Sequence, residues 1–282
     1  VAYTWFNRIV AIRILQKNAL IQPVLQFVEG FTRMPQIVFD AKRGRYPEMT
    51  TEERMRLQAA LQDESRVVEQ FSILLTAFCH SNPILNNCFG KVADYSELLL
   101  PNDILADGGF IDMLNQTDYI TDDDYKTTEL LGWLYQFYIS ERKDEVFASF
   151  KNGKKAAAED IPAATQIFTP NWIVKYMVQN TIGRIYLDNE PYSDLKSAMQ
   201  YLVEAEPTPR ECQFRYTDLD ELTMIDPACG SGHILLEGFE LLLKMYQEAG
   251  YTLSQSIEAI FLKNLIGVEL DTRAKQLSMF AL

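Results

Sequence analysis

The sequence predicts an α/β protein, with a helical first part followed by the beginning of a parallel sheet that helices flank. Residues 1–150 carry apolar residues at helical spacing behind helix-start signals. From residue 164 the predicted order becomes helix, strand, glycine-rich turn, helix, strand and helix, which is typical of a parallel sheet wrapped by helices. The polar, small-residue segment between them predicts a linker at 151–163, and therefore domains at 1–150 and 164–282.

The first predicted helix runs from Tyr3 to Lys17. Its apolar residues recur at helical spacing, and Arg8, Arg13 and Lys17 fall between them on the other side. This pattern predicts an amphipathic helix whose apolar face packs into a core.

A second helix is predicted to start at Thr50. Thr50 and Glu53 have the spacing of a capping box, and no Gly or Pro interrupts the sequence from there to Phe78. Prolines and glycines break up residues 81–121, which favours short helical turns and loops over a sheet in that region.

A third helical segment follows three consecutive aspartates, Asp122 to Asp124, at a position where acidic groups favour a helix start. Residues 125–150 include a group of aromatic side chains that could stack on nucleic-acid bases. Aromatic residues on a helix more often belong to the core, and we expect a core position for Trp133, Tyr135, Phe137 and Tyr138.

Composition limits the classes of function. The 282 residues carry a formal net charge of −13, and the first part alone has 14 basic against 21 acidic residues. Tight duplex binding needs clustered Lys and Arg, so a DNA substrate would be held mainly by regions outside this chain. No segment has the length and apolarity of a membrane span and no secretion signal is found, which predicts a cytoplasmic protein. The four cysteines form no CxxC pair, so neither a disulfide framework nor a metal site is expected.

The strongest functional pattern starts at the predicted strand Leu222 to Asp226. The strand leads directly into a turn that contains Gly230 and Gly232, and the apolar-periodic helix behind the turn ends at Gly250. The two glycines tolerate positive φ and carry no Cβ atom, so a ligand can approach the backbone and the amides of the helix start. Strand, turn and helix together predict a nucleotide-binding crevice.

Details of this turn select among nucleotide ligands. A dinucleotide fingerprint would have Gly or Ala where this chain has Leu235, and no GK[ST] of a phosphate-binding loop follows the turn. A nicotinamide-dependent oxidoreductase is therefore a minor alternative. The carboxylate of Asp226 would repel a phosphate but tolerate an ammonium group, which suits the methionine end of S-adenosylmethionine.

Two further segments are candidates for ligand contact. The next predicted strand, 265–269, ends in Glu269, and an acidic residue at this position of such a fold typically accepts hydrogen bonds from ribose hydroxyls. Asp271 has the spacing of a helix N-cap, which we favour over a ribose contact. Upstream, Thr169 as N-cap with Pro170 in the first helical position predicts a helix start that is unremarkable by itself.

In this combination and order, the motifs resemble the γ-type amino-methyltransferases of restriction and phage-defence systems. The resembling motifs are Phe168-Thr169-Pro170, the loop Asp226-Pro227-Ala228-Cys229-Gly230-Ser231-Gly232, and the strand end Gly267-Val268-Glu269-Leu270-Asp271. Segments near the start, at 132–147 and at 164–187 are similar to the PglX-like family, the adenine-specific methyltransferases of BREX phage-exclusion systems. The resemblance covers most of the chain, although only the DPACGSG loop is specific by itself.

The resemblance implies a Rossmann-like, S-adenosylmethionine-dependent fold that transfers a methyl group to N6 of an adenine flipped out of double-stranded DNA. It implies that residues 168–170 hold the methionine carboxylate, that the 226–232 loop passes beneath it, and that Glu269, with Leu270 and Asp271 beside it, contacts the ribose. The family's catalytic Asn/Asp-Pro-Pro-Tyr/Phe element is absent. We therefore expect an inactive N-terminal portion of the enzyme, without catalytic residues of its own.

A different class of function is also compatible with these residues. The acidic helical region 1–150 could dock protein partners of a defence complex, with the nucleotide-binding elements serving only as a scaffold. Binding of such a partner, as opposed to binding of S-adenosylmethionine, would distinguish the two.

Overall fold

The computed structural model describes residues 2–90, 100–127, 129–151, 153, 155, 157, 160–167, 169–206 and 208–282. Internal contacts divide the chain into two compact units, Val1–Leu131 and Gly132–Leu282. The domains expected at 1–150 and 164–282 stay a prediction. Among the described residues, every helix is too short or too polar to span a bilayer.

The first unit is built from helices that surround one buried helix, α4. Its helices are α1 (Ala2–Lys17), α2 (Gln36–Ala41), α3 (Thr51–Leu61), α4 (Val67–Ser81), α5 (Pro83–Phe89) and α6 (Phe110–Gln116). All residues from 70 to 77 in α4 are buried, and α2, α3 and α5 pack on this helix. The short helices predicted between 81 and 121 are confirmed as α5 and α6, and residues 91–99 lie outside the described part.

Helix α1 differs from the predicted amphipathic helix because two of its basic residues lie in the interior. Arg8 has no exposed surface, and Arg13 is 5% exposed. The Arg8 guanidinium donates to the Gly90 carbonyl and lies 5.0 Å from the ring centroid of Trp5. Arg13 donates to the Leu114 carbonyl at 3.3 Å. A buried charge is tolerated when it is hydrogen-bonded, so the spacing predicted the helix but was wrong about the solvent-facing side.

The helix expected to continue from Thr50 is divided into α3 and α4. Its start is confirmed, because Thr50 and Glu53 form both hydrogen bonds of a capping box. The carboxylate of Asp63 accepts a hydrogen bond from the Ser65 amide at 2.9 Å and caps a short 3-10 turn that leads into α4. Asp competes with the helix backbone for such local bonds. The prediction of one continuous helix was therefore wrong.

The aromatic segment forms two helices, α7 (Glu129–Tyr138) and α8 (Ser140–Lys151). Trp133 is 39% exposed and Phe137 is 67% exposed, and their rings stack with centroids 6.3 Å apart. The expected core position is therefore wrong for these two residues, which are four positions apart and share one side of α7. The side chains of Tyr135 and Tyr138 lie outside the described part of the structure.

The second unit combines helices with a two-stranded parallel sheet. Its further elements are α9 (Ile161–Thr165), α10 (Asn171–Asn180), α11 (Ile182–Asn189), β1 (Met224–Asp226), α12 (His233–Glu248), α13 (Leu253–Ala259), β2 (Leu265–Gly267) and α14 (Thr272–Ala281). β1 and β2 pair in parallel, with Met224 opposite Leu265 and Asp226 opposite Gly267. The predicted order of helix, strand, turn, helix, strand and helix is confirmed, with α11 and α13 as additions and with shorter strands. The protein is thus of mixed class and mostly helical.

Helices α10 and α12 pack side by side in the core of this unit. Burial raises the pKa of Glu237, near the start of α12, and the charge of Lys175 in α10 opposes the shift. At the other end of α12, Glu248 accepts a hydrogen bond from the Tyr186 hydroxyl of α11 at 2.6 Å.

Candidate functional site

The loop 227–232 joins β1 to α12 and is held against the end of β2. The Cys229 amide donates to the Val268 carbonyl at 3.0 Å, and the Val268 amide donates to the Asp226 carbonyl at 2.9 Å. Gly230 and Gly232 have φ angles of 55° and 85°. These are left-handed conformations that favour glycine, as the sequence predicted for this turn.

The two glycines of the loop have different surroundings. A Cβ atom built on Gly230 would meet nothing within 4 Å, so the space beside this residue is open. A Cβ atom on Gly232 would lie 2.3 Å from the Ser278 hydroxyl oxygen of α14. Gly232 therefore serves the packing of the loop on α14, whereas Gly230 leaves room for a ligand to approach the backbone.

Two glycines that the sequence reasoning did not single out bring α12 close to the sheet. A Cβ atom on Gly238 of α12 would lie 2.6 Å from the Met224 sulfur of β1. A Cβ atom on Gly267 of β2 would lie 2.6 Å from the side chain of Leu235. The buried Leu235 thus fills space beside β2, and the close helix–strand contact occurs one turn later, at Gly238. A small residue at the face of a helix that follows a strand was the available signal.

Asp226 ends β1 and is only 8% exposed. Its Oδ1 atom accepts a hydrogen bond from the Ala228 amide at 3.1 Å. Its Oδ2 atom is buried and accepts none from the described residues. A buried carboxylate oxygen without a donor is costly, so this atom is suited to receive a hydrogen bond from a bound ligand.

Glu269 links the glycine loop to the strand end behind β2. One carboxylate oxygen accepts a hydrogen bond from the Gly230 amide at 2.6 Å, and the other accepts one from the Asp271 amide at 2.8 Å. The carboxylate therefore orders both segments by itself. Each oxygen retains a lone pair that could accept a ligand hydroxyl.

Asp271 is the N-cap of α14, as the sequence favoured. Its carboxylate accepts hydrogen bonds from the amide of Arg273 at 2.9 Å and from the guanidinium Nε of the same residue at 3.0 Å. Leu270, between the two acidic residues, is 72% exposed. The capping interpretation of Asp271 is confirmed, and a ribose contact from this residue stays a prediction.

Two other side chains of the loop have defined partners. The Ser231 hydroxyl lies 3.1 Å from Nδ1 of His233, a residue that the sequence reasoning passed over. Burial raises the pKa of the Cys229 thiol, which keeps the sulfur protonated and unreactive near neutral pH. Across the described ranges, no three His, Cys, Asp or Glu residues gather as a metal site would require.

The segment before α10 differs in detail from the prediction. The helix begins at Asn171, with Pro170 in the N-cap position and no side chain capping it. Pro170 has an extended backbone, with ψ of 142°, so the helix starts one residue later than predicted and Thr169 is not its N-cap. Phe168 lies outside the described residues. A ligand contact from Thr169 and Pro170 stays a prediction of the resemblance.

A glycine loop between a parallel strand and a helix, with carboxylates at both strand ends, is the arrangement expected of a nucleotide-binding α/β protein. Over its whole length the chain is 38% identical to the adenine-specific methyltransferase BrxX of Escherichia coli O9:H4 (strain HS). It is 34% identical, again over its whole length, to the adenine-specific methyltransferase PglX of Lacticaseibacillus casei (strain Zhang). The resemblance to PglX-like methyltransferases that the motifs indicated is thus confirmed.

The match covers all of this chain but only a small part of each relative. The chain spans about a quarter of the length of these relatives, 24% of BrxX and 25% of PglX. No family model matches the chain. The activity of the complete relatives is therefore only a proposal for this chain.

Proposed function

We propose that this chain forms the S-adenosylmethionine-binding part of a DNA adenine-N6 methyltransferase that acts in phage defence. In this proposal β1, α12, β2 and α14 are the first elements of a Rossmann-like methyltransferase sheet. Support comes from whole-length similarity to two adenine-specific methyltransferases. The structural observation that carries the proposal is the buried, unpaired Oδ2 atom of Asp226 beside a glycine loop that is open at Gly230.

The residues of the site fit the chemical groups of the cofactor. The Asp226 carboxylate would accept a hydrogen bond from the methionine ammonium group, and the open backbone at Gly230 would let the ligand approach the loop. Glu269 would accept hydrogen bonds from the ribose hydroxyls, with Leu270 and Asp271 adjacent to it. Thr169 and Pro170 would contact the methionine carboxylate. The cofactor, when bound, supplies a methyl group activated by a sulfonium centre.

Charge supports the cofactor more than it supports direct DNA binding. Asp226 and Glu269 attract a sulfonium compound, whereas a net charge of −13 opposes a polyphosphate. The chain lacks the Asn/Asp-Pro-Pro-aromatic element that would orient the target adenine. We therefore assign double-stranded DNA and the catalytic residues to surfaces outside this chain, and defence-system proteins remain candidate partners of the complete enzyme.

A Gly230→Asp substitution tests the cofactor site. The new side chain would extend into the open space beside the loop, and we expect the affinity for S-adenosylmethionine to fall at least about tenfold, or about 1.4 kcal/mol. Isothermal titration calorimetry on the purified chain measures this directly. Gly44→Asp is the matched control, because Gly44 also has positive φ, 80°, and open space at its Cβ position. Equal affinities for both variants and the wild type would contradict the proposal.

A further inference from the structure

A cavity of about 440 Å³ lies at the opposite end of α12 from the glycine loop. The helix has 16 residues, so about 24 Å separates its two ends. The cavity is lined by tyrosines and carboxylates, chiefly Tyr186, Tyr192, Tyr216, Tyr251, Glu190 and Glu248. It belongs entirely to the second unit and takes no part in the proposed cofactor site.

The electrostatic character of this cavity is uniformly negative. None of its lining residues is basic, and Asp218 adds a further carboxylate to those of Glu190 and Glu248. The last turn of α12 contributes as well, since the C-terminal end of a helix carries a partial negative charge. A phosphate or a carboxylate would be repelled here, and a cation would be attracted.

Glu248 is fixed in position by its neighbours. It accepts hydrogen bonds from the hydroxyls of Tyr186 and Ser193, each at 2.6 Å, and from the Asp194 amide at 3.0 Å. These contacts hold one wall of the cavity together. The Glu190 side chain is exposed as well and is available to a ligand.

One of the tyrosines that line the cavity has a hydroxyl group without a hydrogen-bond partner among the described residues. The Tyr216 hydroxyl is buried and makes no hydrogen bond with any part of the chain that the structure describes. Burial raises the pKa of Tyr216 to about 12, and the charge of Glu190, which lines the same cavity, adds to the shift. A bound group with several N–H donors would donate to the Tyr216 hydroxyl oxygen and to the Glu190 carboxylate. Tyr192, which is 98% exposed, adds a flat aromatic surface.

We propose that this cavity binds an organic cation with an aliphatic stem, namely a guanidinium or ammonium group of the size of an arginine or lysine side chain. Aromatic faces attract such cations by roughly 0.5–2 kcal/mol, depending on desolvation. Carboxylates accept their N–H groups in charge-assisted hydrogen bonds. A side chain of a protein partner and a free polyamine carry the same chemistry, and the choice of probe distinguishes them.

The test uses small cations on the purified chain. Nα-acetyl-arginine amide is titrated by NMR, with Nα-acetyl-citrulline amide as a neutral probe of the same shape and spermidine as the polyamine. We expect saturable binding of the cations, with a dissociation constant on the order of 1 mM, and no binding of citrulline amide. Tighter binding of arginine amide than of spermidine points to a partner's side chain, and the reverse order to a polyamine.

Variants locate the binding. Glu190→Gln and Tyr192→Ala change exposed residues and should each weaken binding of arginine amide at least about threefold. Glu258→Gln, an exposed acidic residue of α13 outside the cavity, is the control and should leave binding unchanged. Absence of saturation, equal binding of citrulline amide, or indifference to both variants would overturn the inference. Gly230→Asp should have no effect, which separates this test from that of the cofactor site.

Discussion

The two carboxylate oxygens of Asp226 differ in their hydrogen bonding. Its Oδ1 atom orders the turn through the Ala228 amide, while Oδ2 is buried without a donor. Such an arrangement costs stability in the free protein and favours a ligand that supplies the donor. The side chain thus connects the local geometry of the turn to ligand binding.

An Asp226→Asn substitution separates these two contacts. The amide oxygen of the asparagine can keep the hydrogen bond from the Ala228 amide. The substitution removes the negative charge, and its NH2 group faces the ligand ammonium group, from which it cannot accept a hydrogen bond. We expect the affinity for S-adenosylmethionine to fall roughly tenfold or more, with no loss in the free energy of unfolding by urea. Asp218→Asn, which alters an acidic residue outside the cofactor loop, serves as the control. Undiminished affinity would mean that Asp226 is only structural.

Glu248 provides a pH-dependent contribution to stability. Burial alone would raise its pKa, but hydrogen bonds from the Ser193 and Tyr186 hydroxyls and from the Asp194 amide outweigh this effect and lower the pKa below its usual value. A group with a lowered folded-state pKa stabilises the protein above its unfolded-state pKa, about 4.3 for Glu. That contribution is lost as the pH falls through the lower folded-state pKa.

Glu248→Gln should therefore lower the urea midpoint more at pH 7 than at about pH 3.5, which lies below the unfolded-state pKa, so that part of the carboxylate's contribution is already lost there. Urea titrations of both proteins at the two pH values measure the difference. Glu258→Gln is the control, since this acidic residue is exposed and lies outside the contacts that hold Glu248. A difference that does not depend on pH would contradict the assigned role.

At the scale of elements, the parts of the fold that could be predicted are those with local causes. The capping box at Thr50, the positive φ of Gly230 and the N-cap at Asp271 each depend on residues a few positions apart. The break at Asp63 also has a local cause, but the unbroken apolar spacing on either side concealed it. Strand and helix order in the second unit followed from the same kind of signal.

Other features depend on partners that are distant in sequence. Arg8 can be buried because its guanidinium donates to the Gly90 carbonyl and lies over the Trp5 ring. Helical spacing contains no information about either contact. In the candidate site, Gly238 and Gly267 are required by the approach of α12 to the strands, which only the assembled unit defines. The sequence therefore predicted the loop and its carboxylates, but not the packing that holds them.

The packing of α14 on the glycine loop can be tested at Gly232. An alanine there would place its Cβ atom 2.3 Å from the hydroxyl oxygen and 3.0 Å from the Cα atom of Ser278. Gly250→Ala is the matched control, because its φ is 91° but a Cβ atom would meet nothing within 4 Å. Both variants lose about 1 kcal/mol to the left-handed backbone, and Gly232→Ala should lose about 1–3 kcal/mol more. Equal urea midpoints for the two variants would show that α14 does not depend on this contact.

At the scale of the whole molecule, acidity is spread over both parts of the chain. The residues up to 150 have 14 basic and 21 acidic groups, so the remaining part, with 12 and 18, is acidic too. The relatives it matches are about four times longer, and they carry residues that this chain does not contain. Recognition of the cofactor and recognition of DNA are therefore separable functions in our proposal.

This separation predicts that the chain binds S-adenosylmethionine without binding duplex DNA. In a fluorescence anisotropy titration with a 20-bp duplex at about 0.15 M salt, we expect no saturation up to about 10 µM protein. Calorimetry in the same buffer provides the control that the protein is folded and binds the cofactor. Micromolar binding that weakens steeply with salt would instead reveal a basic surface strong enough to overcome the net charge. Duplex recognition would then begin within this chain, because only clustered cations release counterions from DNA in that way.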